Sequence, residues 1–263
     1  MTQDTDKKPR GFEFDLTGKT AMIAGATGGI GRGIAEAYAR YGADLALCGR
    51  KTDILERNAA EFGNAYGVRV KTYRLDVTDI KEIEAVVQAV DADFGGIDIF
   101  VNSTGTNIPQ IAEEVTEANW DAMMDLNLKG AFFCCQAVGK VMIRQQHGKI
   151  VNISSQAGSV GLIRRSGYCS SKGGLNQMTR VLAIEWAKHN INVNCLSPTF
   201  LLTPMTAPML KEKEFKDYVD SNILLGRLAT TEDLLGAAVF LASRASDMVT
   251  GQMLLVDGGW TCH

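Results

Sequence analysis

The sequence lacks the features that mark several broad classes of protein. None of its apolar runs approaches the ~20 residues that span a bilayer, and Met1–Gly11 has no apolar core of the kind found in a signal peptide. The only histidines are His147, His189 and His263, which lie far apart in the chain. We therefore expect no membrane span, no secretion signal and no histidine-based metal site.

Paired cysteines and an excess of basic charge are also missing. The six cysteines are scattered, mostly in apolar runs, and no two of them form a C-x-x-C pair. This pattern predicts reduced, buried thiols and a cytoplasmic location. The 27 basic residues do not outnumber the 30 acidic ones, which argues against a nucleic-acid or an acidic-membrane partner.

What the sequence does contain is a regular alternation of apolar runs and amphipathic stretches. The runs are rich in Ile, Val and Leu without polar alternation, as in strands that are covered on both faces. Alternation of this kind predicts an α/β fold, a single-domain Rossmann-type doubly wound parallel sheet of about seven strands with helices on both faces. The predicted strands are Thr20–Ala24, Asp44–Cys48, Val70–Arg74, Ile97–Val101, Lys149–Ile153, Asn192–Leu196 and Met253–Val256.

Helical patterns fill the segments between these strands. Apolar residues recur at helical spacing from Ile34 to Tyr41 and from Ile80 to Val90, and two longer helices are expected at Thr116–Arg144 and Leu175–Lys188. Lys211–Asn222 resembles an inserted helical flap of mixed charge. We expect residues 1–14 to be a flexible N-terminal tail and residues 15–263 to form one catalytic domain.

A glycine-rich turn follows the first predicted strand. Gly25, Gly29 and Gly31 are spaced G-x-x-x-G-x-G and lead into a helix. Glycines allow a sharp turn and let a pyrophosphate approach the amide groups at a helix N-terminus, where the helix dipole favours negative charge. Tight packing alone is the alternative explanation for these glycines.

A second pattern follows the fifth predicted strand. That strand leads into Ser154 and Ser155, and thirteen residues after Ser155 come Tyr168 and Lys172 as Tyr-x-x-x-Lys. Residues four apart share a helix face, so both side chains are expected to face one cleft at the carboxyl ends of the strands. A lone Tyr-x-x-x-Lys often arises by chance, but the serine and the upstream glycine turn make this combination strong.

Together these motifs resemble the short-chain dehydrogenase/reductase family from about Leu16 to Trp260. The resemblance implies an NAD(P)-dependent oxidoreductase that moves a hydride between nicotinamide and a secondary alcohol or ketone. Besides the glycine turn and the Ser155, Tyr168 and Lys172 set, it rests on several shorter motifs. These are Leu75-Asp76-Val77, Asn102-Ser103-Thr104-Gly105, Asn127-Leu128-Lys129-Gly130, Ser197-Pro198 with Thr203, and Val256-Asp257-Gly258-Gly259.

The resemblance assigns catalytic roles to four residues. Tyr168 is the expected proton donor and acceptor, and Lys172 is expected to lower the ordinarily high pKa of the phenol and to reach the nicotinamide ribose. Ser155 is expected to hold the substrate oxygen, and Asn127 to hold a water that links Lys172 to solvent. Ser154 is expected to be a structural neighbour, and the alternative role for Asn127 is only to bend its helix.

The resemblance also implies a set of cofactor contacts, in which Asp76 touches the adenine, Asn102 braces the sheet and Thr203 meets the carboxamide. Asp76 and Asn102 are also plausible as plain turn formers. The family pattern is changed at Ala24, at Ser103-Thr104 and at Thr199, and none of these changes removes a catalytic group. The expected cofactor contacts are Gly25, Thr27, Gly28, Gly29, Ile30, Gly31, Gly49, Arg50, Lys51, Asp76, Val77, Asn102, Ser103, Gly105, Tyr168, Lys172, Pro198, Thr199 and Thr203.

The end of the second predicted strand favours NADP over NAD. An acidic residue at Gly49 would bind the ribose 2′-hydroxyl and repel a 2′-phosphate, whereas Arg50 and Lys51 offer positive charge to a phosphate. Gly28 is counter-evidence, because relatives that prefer NADP often have a basic residue there. Arg50 as ordinary solvated charge is the alternative.

The expected substrate contacts are Ser155, Gln156, Arg164, Arg165 and Tyr168. Two adjacent arginines near Tyr168 suit a carboxylate, phosphate or sulfonate, although an exposed basic loop or a subunit contact also explains them. Within the family the sequence is most similar to the sugar-acid and polyol branch, which implies an anionic sugar derivative as substrate. The alternatives are a neutral polyol dehydrogenase, a 3-oxoacyl-carrier-protein reductase and a non-enzymatic dinucleotide sensor. A homotetramer is expected from the relatives, with interface candidates at Phe132-Phe133 and Leu182–Trp186.

Overall fold

A parallel β-sheet of seven strands organises the part of the chain that is described. The structure is a computed structural model, and it describes residues 14–202, 206–207 and 209–262. The predicted and observed strand bounds differ by no more than two residues at any end. The strands are β1 (Thr20–Ala24), β2 (Asp44–Gly49), β3 (Val70–Arg74), β4 (Ile99–Asn102), β5 (Gly148–Ile153), β6 (Ile191–Pro198) and β7 (Met253–Val256).

The strand order creates a crevice at the centre of the sheet. The order is β3-β2-β1-β4-β5-β6-β7, and every neighbouring pair is parallel. The chain proceeds outward from β1 toward β3, then crosses back to β4 and proceeds toward the other edge. Doubly wound sheets bind ligands at such a switch point, outside the carboxyl ends of the strands.

Helices cover both faces of the sheet and bury a core on each side. The helices are α1 (Gly29–Arg40), α2 (Thr52–Tyr66), α3 (Ile80–Phe94), α4 (Glu117–Met124), α5 (Gly130–Gln145), α6 (Ser166–Trp186), α7 (Lys213–Asn222) and α8 (Thr231–Ala242). One core packs side chains of α1, α2 and α8 against the sheet, and the other packs those of α3, α5 and α6. Strand β1 is buried along its whole length because both cores contact it.

The helix expected over Thr116–Arg144 is not a uniform α-helix. A π-helical turn, Asp125–Lys129, separates α4 from α5. The apolar spacing on either side of this turn is helical, so periodicity alone gives no sign of the one-residue bulge. Turns of this kind are common at functional sites, and this one contains Asn127.

The predicted flap forms a third, smaller core near the mouth of the crevice. Leu210 and Val219 of the flap region pack with Ile223 and with Trp260 from the C-terminal segment. The Trp260 ring lies 5.4 Å from the Phe200 ring and 5.6 Å from the Tyr218 ring, centroid to centroid. Helix α7 is thus attached to the body of the protein by aromatic contacts.

Two sequence-based predictions fall wholly or mostly outside the described residues. Residues 1–13 include nearly all of the expected N-terminal tail, so the tail and the domain boundary at residue 15 stay predictions. Thr203 also lies outside the described residues. Within them, no helix is long and apolar enough to cross a membrane.

Candidate active site

The glycine turn between β1 and α1 forms a tight backbone cradle. Gly25 has a left-handed φ of +88°, and a Cβ atom added at Gly31 would lie 2.3 Å from the carbonyl oxygen of Gly25. Only glycine therefore fits at Gly31. The turn exposes the N-terminus of α1, whose first turn has no acidic side chain, to the crevice. Such an arrangement suits a pyrophosphate.

A continuous cleft of about 470 Å³ runs from this turn along the carboxyl edge of the sheet. Most of the expected cofactor contacts line it, together with Ser155, Gln156 and Arg165. Gly31 and Asn102 do not line the cleft, because Gly31 packs under the turn and Asn102 is buried at the end of β4. The glycine turn and the Tyr-x-x-x-Lys pattern therefore belong to one site.

The part of the cleft beyond β2 combines a basic and an acidic side chain. The Arg50 side chain is 70% exposed, and its guanidinium lies 4.0 Å from the Asp76 carboxylate. Asp76 also accepts hydrogen bonds from the backbone and hydroxyl of Thr78, which hold the pKa of the Asp76 carboxyl below its usual range. Asp76 thus forms a turn and lines the cleft as well, so the two interpretations of it are compatible.

Asn102 has the role of a turn former. Its side-chain oxygen accepts from the backbone of Thr104 at 3.3 Å and from the Thr104 hydroxyl at 2.7 Å. The hydroxyl in Ser103-Thr104 thus contributes a bond to this turn. The backbone of Asn102 also pairs with Ala24 of β1 and Asn152 of β5, so it lies at the centre of the sheet.

Ser155, Tyr168 and Lys172 are brought together at the carboxyl end of β5. Ser155 is the second residue after β5, and a short 3-10 turn, Gln156–Gly158, packs it against α6, which carries the other two side chains. A Cβ atom added at Gly158 would lie 2.8 Å from the Lys172 carbonyl oxygen, so the turn and the helix are in close contact. Ser155 hydrogen-bonds the phenol of Tyr168. Ser154 instead donates to Asn176 at 2.6 Å, which is the structural role expected of it.

Burial governs the proton affinities of the two titrating groups. It raises the pKa of Tyr168 above its ordinary value, and the Ser155 hydrogen bond and the Arg165 charge oppose this increase. Burial lowers the pKa of Lys172 to about 8. Lys172 is itself buried and donates to the Ile153 carbonyl at 2.8 Å. Its expected effect on the Tyr168 pKa stays a prediction.

Asn127 is fixed beside Lys172 by the π-helical turn. Its amide nitrogen donates to the Thr106 carbonyl at 2.9 Å and to the Ser171 hydroxyl at 3.0 Å, and its oxygen accepts from the Thr106 backbone at 2.8 Å. A Cβ atom added at Gly105 would lie 3.3 Å from the Asn127 oxygen and 3.6 Å from the Lys172 ammonium. Asn127 does not line the cleft; it lies behind Gly105 and next to the lysine.

The structure separates the two adjacent arginines. Arg165 is 4% exposed and lines the cleft, whereas Arg164 is exposed and does not. Arg164 has a left-handed φ of +60° just before α6, and the two adjacent side chains lie in different environments. Of the pair, only Arg165 is placed to contact a ligand in the cleft.

Several residues that line the cleft were not predicted from the sequence. They lie two to eight residues beyond the carboxyl ends of β4 and β6, and that position was the signal available in the sequence. These residues include Thr104, Thr106, Asn107, Phe200, Leu201 and Thr206.

The cleft fits a dinucleotide in its shape and in its polar groups. The glycine turn leaves open space at Gly28 and Gly29, where an added Cβ atom would meet nothing within 4 Å, and the cleft continues from there to Tyr168 and Lys172. The buried Thr199 hydroxyl and the Asn107 side-chain oxygen, both in its wall, have no hydrogen-bond partner among the described residues. Such groups are expected to bind a ligand, because leaving them unpaired is costly.

Known proteins match the chain over nearly its whole length. A family model described as enoyl-(acyl carrier protein) reductase matches residues 25–261. The D-threitol dehydrogenase of Mycolicibacterium smegmatis is 41% identical, over 95% of each chain. The gluconate 5-dehydrogenase of Gluconobacter oxydans is 38% identical, over 94% of this chain and 96% of the other.

A solved structure agrees with the fold throughout. It is that of a gluconate 5-dehydrogenase from Burkholderia cenocepacia in complex with NADP and tartrate. It is 32% identical, with a TM-score of 0.93, and the match covers 96% of this chain and 98% of that one. The matched family model, the similarity to dehydrogenases and the grouping of Ser155, Tyr168 and Lys172 beside the glycine cradle lead to one conclusion: this chain belongs to the short-chain dehydrogenase/reductase family and is an NAD(P)-dependent oxidoreductase.

Proposed function

We propose that the enzyme oxidises a secondary hydroxyl of an anionic sugar derivative, or reduces the matching ketone, with NADP as its cofactor. The observation that carries the proposal is Arg165, a cation that is almost fully buried in the wall of the cleft. No carboxylate of the described residues forms an ion pair with it. A buried charge without a counter-charge is costly, and an anionic ligand would relieve that cost.

The surroundings of Arg165 hold its side chain in place without neutralising it. The guanidinium donates to the Arg164 carbonyl at 3.1 Å, lies 2.9 Å from the Met209 sulfur and is 5.5 Å from the centre of the Phe215 ring. Burial and the neighbouring Arg164 charge both lower the pKa of Arg165, and Glu212 exerts only a smaller, opposite effect. A guanidinium can bind a carboxylate with two parallel hydrogen bonds, which makes a sugar acid a suitable ligand.

The protein side of the reaction follows from the positions of three side chains. When bound, the nicotinamide supplies the hydride acceptor for alcohol oxidation and the hydride donor for ketone reduction. Ser155 hydrogen-bonds the reacting oxygen and Tyr168 removes or returns its proton. Lys172 lies on the same helix face as Tyr168, with its nitrogen 5.8 Å from the centre of the phenol ring, and favours the phenolate.

The two arginines provide a matched pair for testing substrate charge. In Arg165→Met, kcat/KM for gluconate should fall about 10- to 150-fold, the effect of one hydrogen bond to a charged group, while kcat/KM for a neutral hexitol changes little. Arg164→Met removes the same charge one residue earlier, outside the cleft, and should affect neither substrate. Equal losses for gluconate and the hexitol in Arg165→Met, or a wild-type preference for the hexitol, would contradict the proposal.

The choice of NADP over NAD rests on the exposed cation at the end of β2. Gly49 leaves that strand end without an acidic side chain, and Arg50 and Lys51 both line the cleft there. Wild type should show the higher kcat/KM with NADP. Arg50→Asp should reverse this preference, because an acid accepts the ribose hydroxyl and repels a 2′-phosphate. Arg57→Asp makes the same change of charge at an exposed position on α2 and serves as the control. A wild-type preference for NAD would refute the assignment of NADP as the cofactor.

A homotetramer in the cytoplasm is part of the same proposal. Phe132 and Phe133 pack edge to face beside an apolar hollow on α5, and Ile184 of α6 is 78% exposed. Apolar surface of this kind suits a subunit interface. Leu182, by contrast, is buried in the protein's own core. The six unpaired cysteines suit a reducing compartment. Light scattering of wild type and of Ile184→Glu tests the homotetramer. A monomeric wild type would contradict this part of the proposal.

A further inference from the structure

Gln156 has a buried side-chain amide that the protein leaves without a partner. The residue is 1% exposed, and neither its side-chain oxygen nor its side-chain nitrogen has a hydrogen-bond partner among the described residues. It lies directly after Ser155 and lines the cleft. Unpaired buried amides are rare in folded proteins, and one in the wall of an active site calls for a ligand.

The local fold does not need this amide. Gln156 begins the 3-10 turn after β5, and the turn is held by backbone bonds, because the Gln156 carbonyl accepts from Ser159 at 2.8 Å and from Val160 at 3.0 Å. The side chain takes no part in these bonds. A smaller or an apolar residue would therefore support the same turn, so the polar group has no structural purpose there.

The chemistry of the amide limits the groups that satisfy it. An amide offers two N–H donors and a carbonyl acceptor, so its best partner both donates and accepts. A hydroxyl does both, whereas a carboxylate or a phosphate only accepts. The unpaired side-chain oxygen of Asn107, also in the wall of the cleft, adds a second acceptor for hydroxyl groups. The cleft therefore combines two buried cations, Arg165 and Lys172, with neutral groups that suit hydroxyls.

We propose that Gln156 binds a second hydroxyl of the substrate, near the reacting one, and thereby selects polyhydroxylated substrates over simple alcohols. This inference rests on the proposed oxidoreductase function and adds a specificity-determining residue to it. Because Gln156 follows Ser155, which holds the reacting oxygen, the second hydroxyl lies close to the first. Arg165 selects for charge, and Gln156 selects for hydroxyl groups independently of charge.

Butane-2,3-diol and butan-2-ol test the proposal, since they differ by one hydroxyl and neither is charged. With saturating NADP, wild type should oxidise the diol with the higher kcat/KM, by roughly 5- to 150-fold, the effect of leaving a buried polar group unpaired. Gln156→Met keeps the length of the side chain and removes its polar atoms, so the preference should fall close to one. Gln156→Asn withdraws the amide and should also reduce the preference.

The controls separate a specificity effect from a loss of folding. Gln252→Met changes an exposed residue just before β7. This residue lies at the amino-terminal end of the strand, away from the cleft, so the variant should keep the wild-type preference. NADP affinity should stay near wild type in Gln156→Met, which shows that the variant is folded. Any of three results would overturn the role of Gln156: wild type uses the two alcohols equally, wild type does not oxidise the diol, or both Gln156 variants retain the preference. In each of these cases the proposed function would stand if wild type still prefers gluconate to a hexitol. If wild type oxidises neither the two alcohols nor gluconate nor the hexitol, both the role of Gln156 and the proposed function are overturned.

Discussion

At the scale of single residues, the cleft concentrates buried positive charge. Lys172 and Arg165 are 3% and 4% exposed, and no carboxylate of the described residues pairs with either. Both have a lowered pKa, chiefly because burial disfavours the charged form. Cations held in this way reduce the stability of the folded protein and are available to act on a ligand, as is common in active sites.

This cost predicts a stability gain when Lys172 is replaced. Below pH 8 both the folded and the unfolded protein hold the proton, so the full penalty of burying the charge applies. Between about pH 8 and 10.5 the unfolded chain holds the proton more tightly, and rising pH removes the penalty. Lys172→Met should therefore be more stable than wild type at pH 7, by roughly 1–2 kcal/mol after loss of the bond to Ile153, and inactive.

Urea denaturation across this pH range measures the effect. The stability difference between Lys172→Met and wild type should shrink as pH rises from 8 to 10.5. Lys140→Met, which changes an exposed lysine of α5, should change the free energy of unfolding by less than about 0.5 kcal/mol at every pH. A Lys172→Met protein that is less stable than wild type at pH 7 would show that the charge is not costly.

The adjacent arginines show where sequence reasoning stops at this scale. The sequence identifies Arg164 and Arg165 as a pair near Tyr168 but gives no basis for choosing between them. The two side chains differ in burial beside the left-handed backbone of Arg164, a conformation that is uncommon for residues other than glycine and that the residue type does not predict. Gln156 was expected among the substrate contacts, but its lack of a partner appears only when the cleft is assembled.

At the scale of elements, the entry into α1 depends on a glycine at one position. An added Cβ at Gly31 would lie 2.3 Å from the Gly25 carbonyl, whereas one at Gly236, an exposed glycine of α8, would contact nothing within 4 Å. Gly31→Ala should lower the free energy of unfolding by about 1–3 kcal/mol and weaken NADP binding. Gly236→Ala should raise it by up to about 1 kcal/mol, because alanine favours a helix.

Chemical denaturation and NADP titration of the two variants give the comparison. Both changes add one methyl group to a helical glycine, so only the surroundings of the two sites differ. A Gly31→Ala protein with wild-type stability and wild-type NADP affinity would show that the turn has room for a side chain, and would refute the cradle.

The π-helical turn connects fold and chemistry through Asn127. Asn127→Ala would leave the backbone N–H and carbonyl of Thr106 without this partner, so the free energy of unfolding should fall by roughly 1–3 kcal/mol and kcat should fall with it. Asn127→Asp keeps the acceptor for the Thr106 N–H and should lose less stability. If Asn127→Ala has wild-type stability and wild-type kcat, neither the positioning role nor the catalytic role is correct.

The same turn marks the limit of prediction at the element scale. Apolar runs predict the strands to within two residues, and the predicted bounds of β1, β3 and β7 are the observed ones. Burial imposes such a run on β1, all of whose residues are buried. The helices are predicted less closely, since α6 begins at Ser166, nine residues before the expected Leu175. A π-bulge inserts one residue without disturbing the apolar pattern on either side. The sequence therefore predicted a continuous helix, and only the backbone shows how Asn127 is aimed at Thr106.

At the scale of the whole molecule, the sheet order brings distant segments of the chain to one cleft. Alternating strands and helices predict the parallel sheet, and the switch between β1 and β4 predicts where a ligand binds. The residues that form the cleft wall after β6 could not be predicted, because Phe200 and Leu201 reach the cleft through the path of the loop that follows this strand. General rules of topology thus locate the site, and loop conformation determines what it accepts.

The most direct measurement for the account as a whole is the rate of NADP reduction by wild type and by Tyr168→Phe in the presence of a sugar acid. The substitution keeps the aromatic ring in place and removes the hydroxyl that exchanges a proton with the substrate. We predict that kcat falls at least ~10²-fold, as expected for loss of a general acid–base group, while the NADP dissociation constant stays within a few-fold of wild type. A Tyr168→Phe enzyme that retains turnover within a few-fold of wild type would contradict the mechanism at its centre.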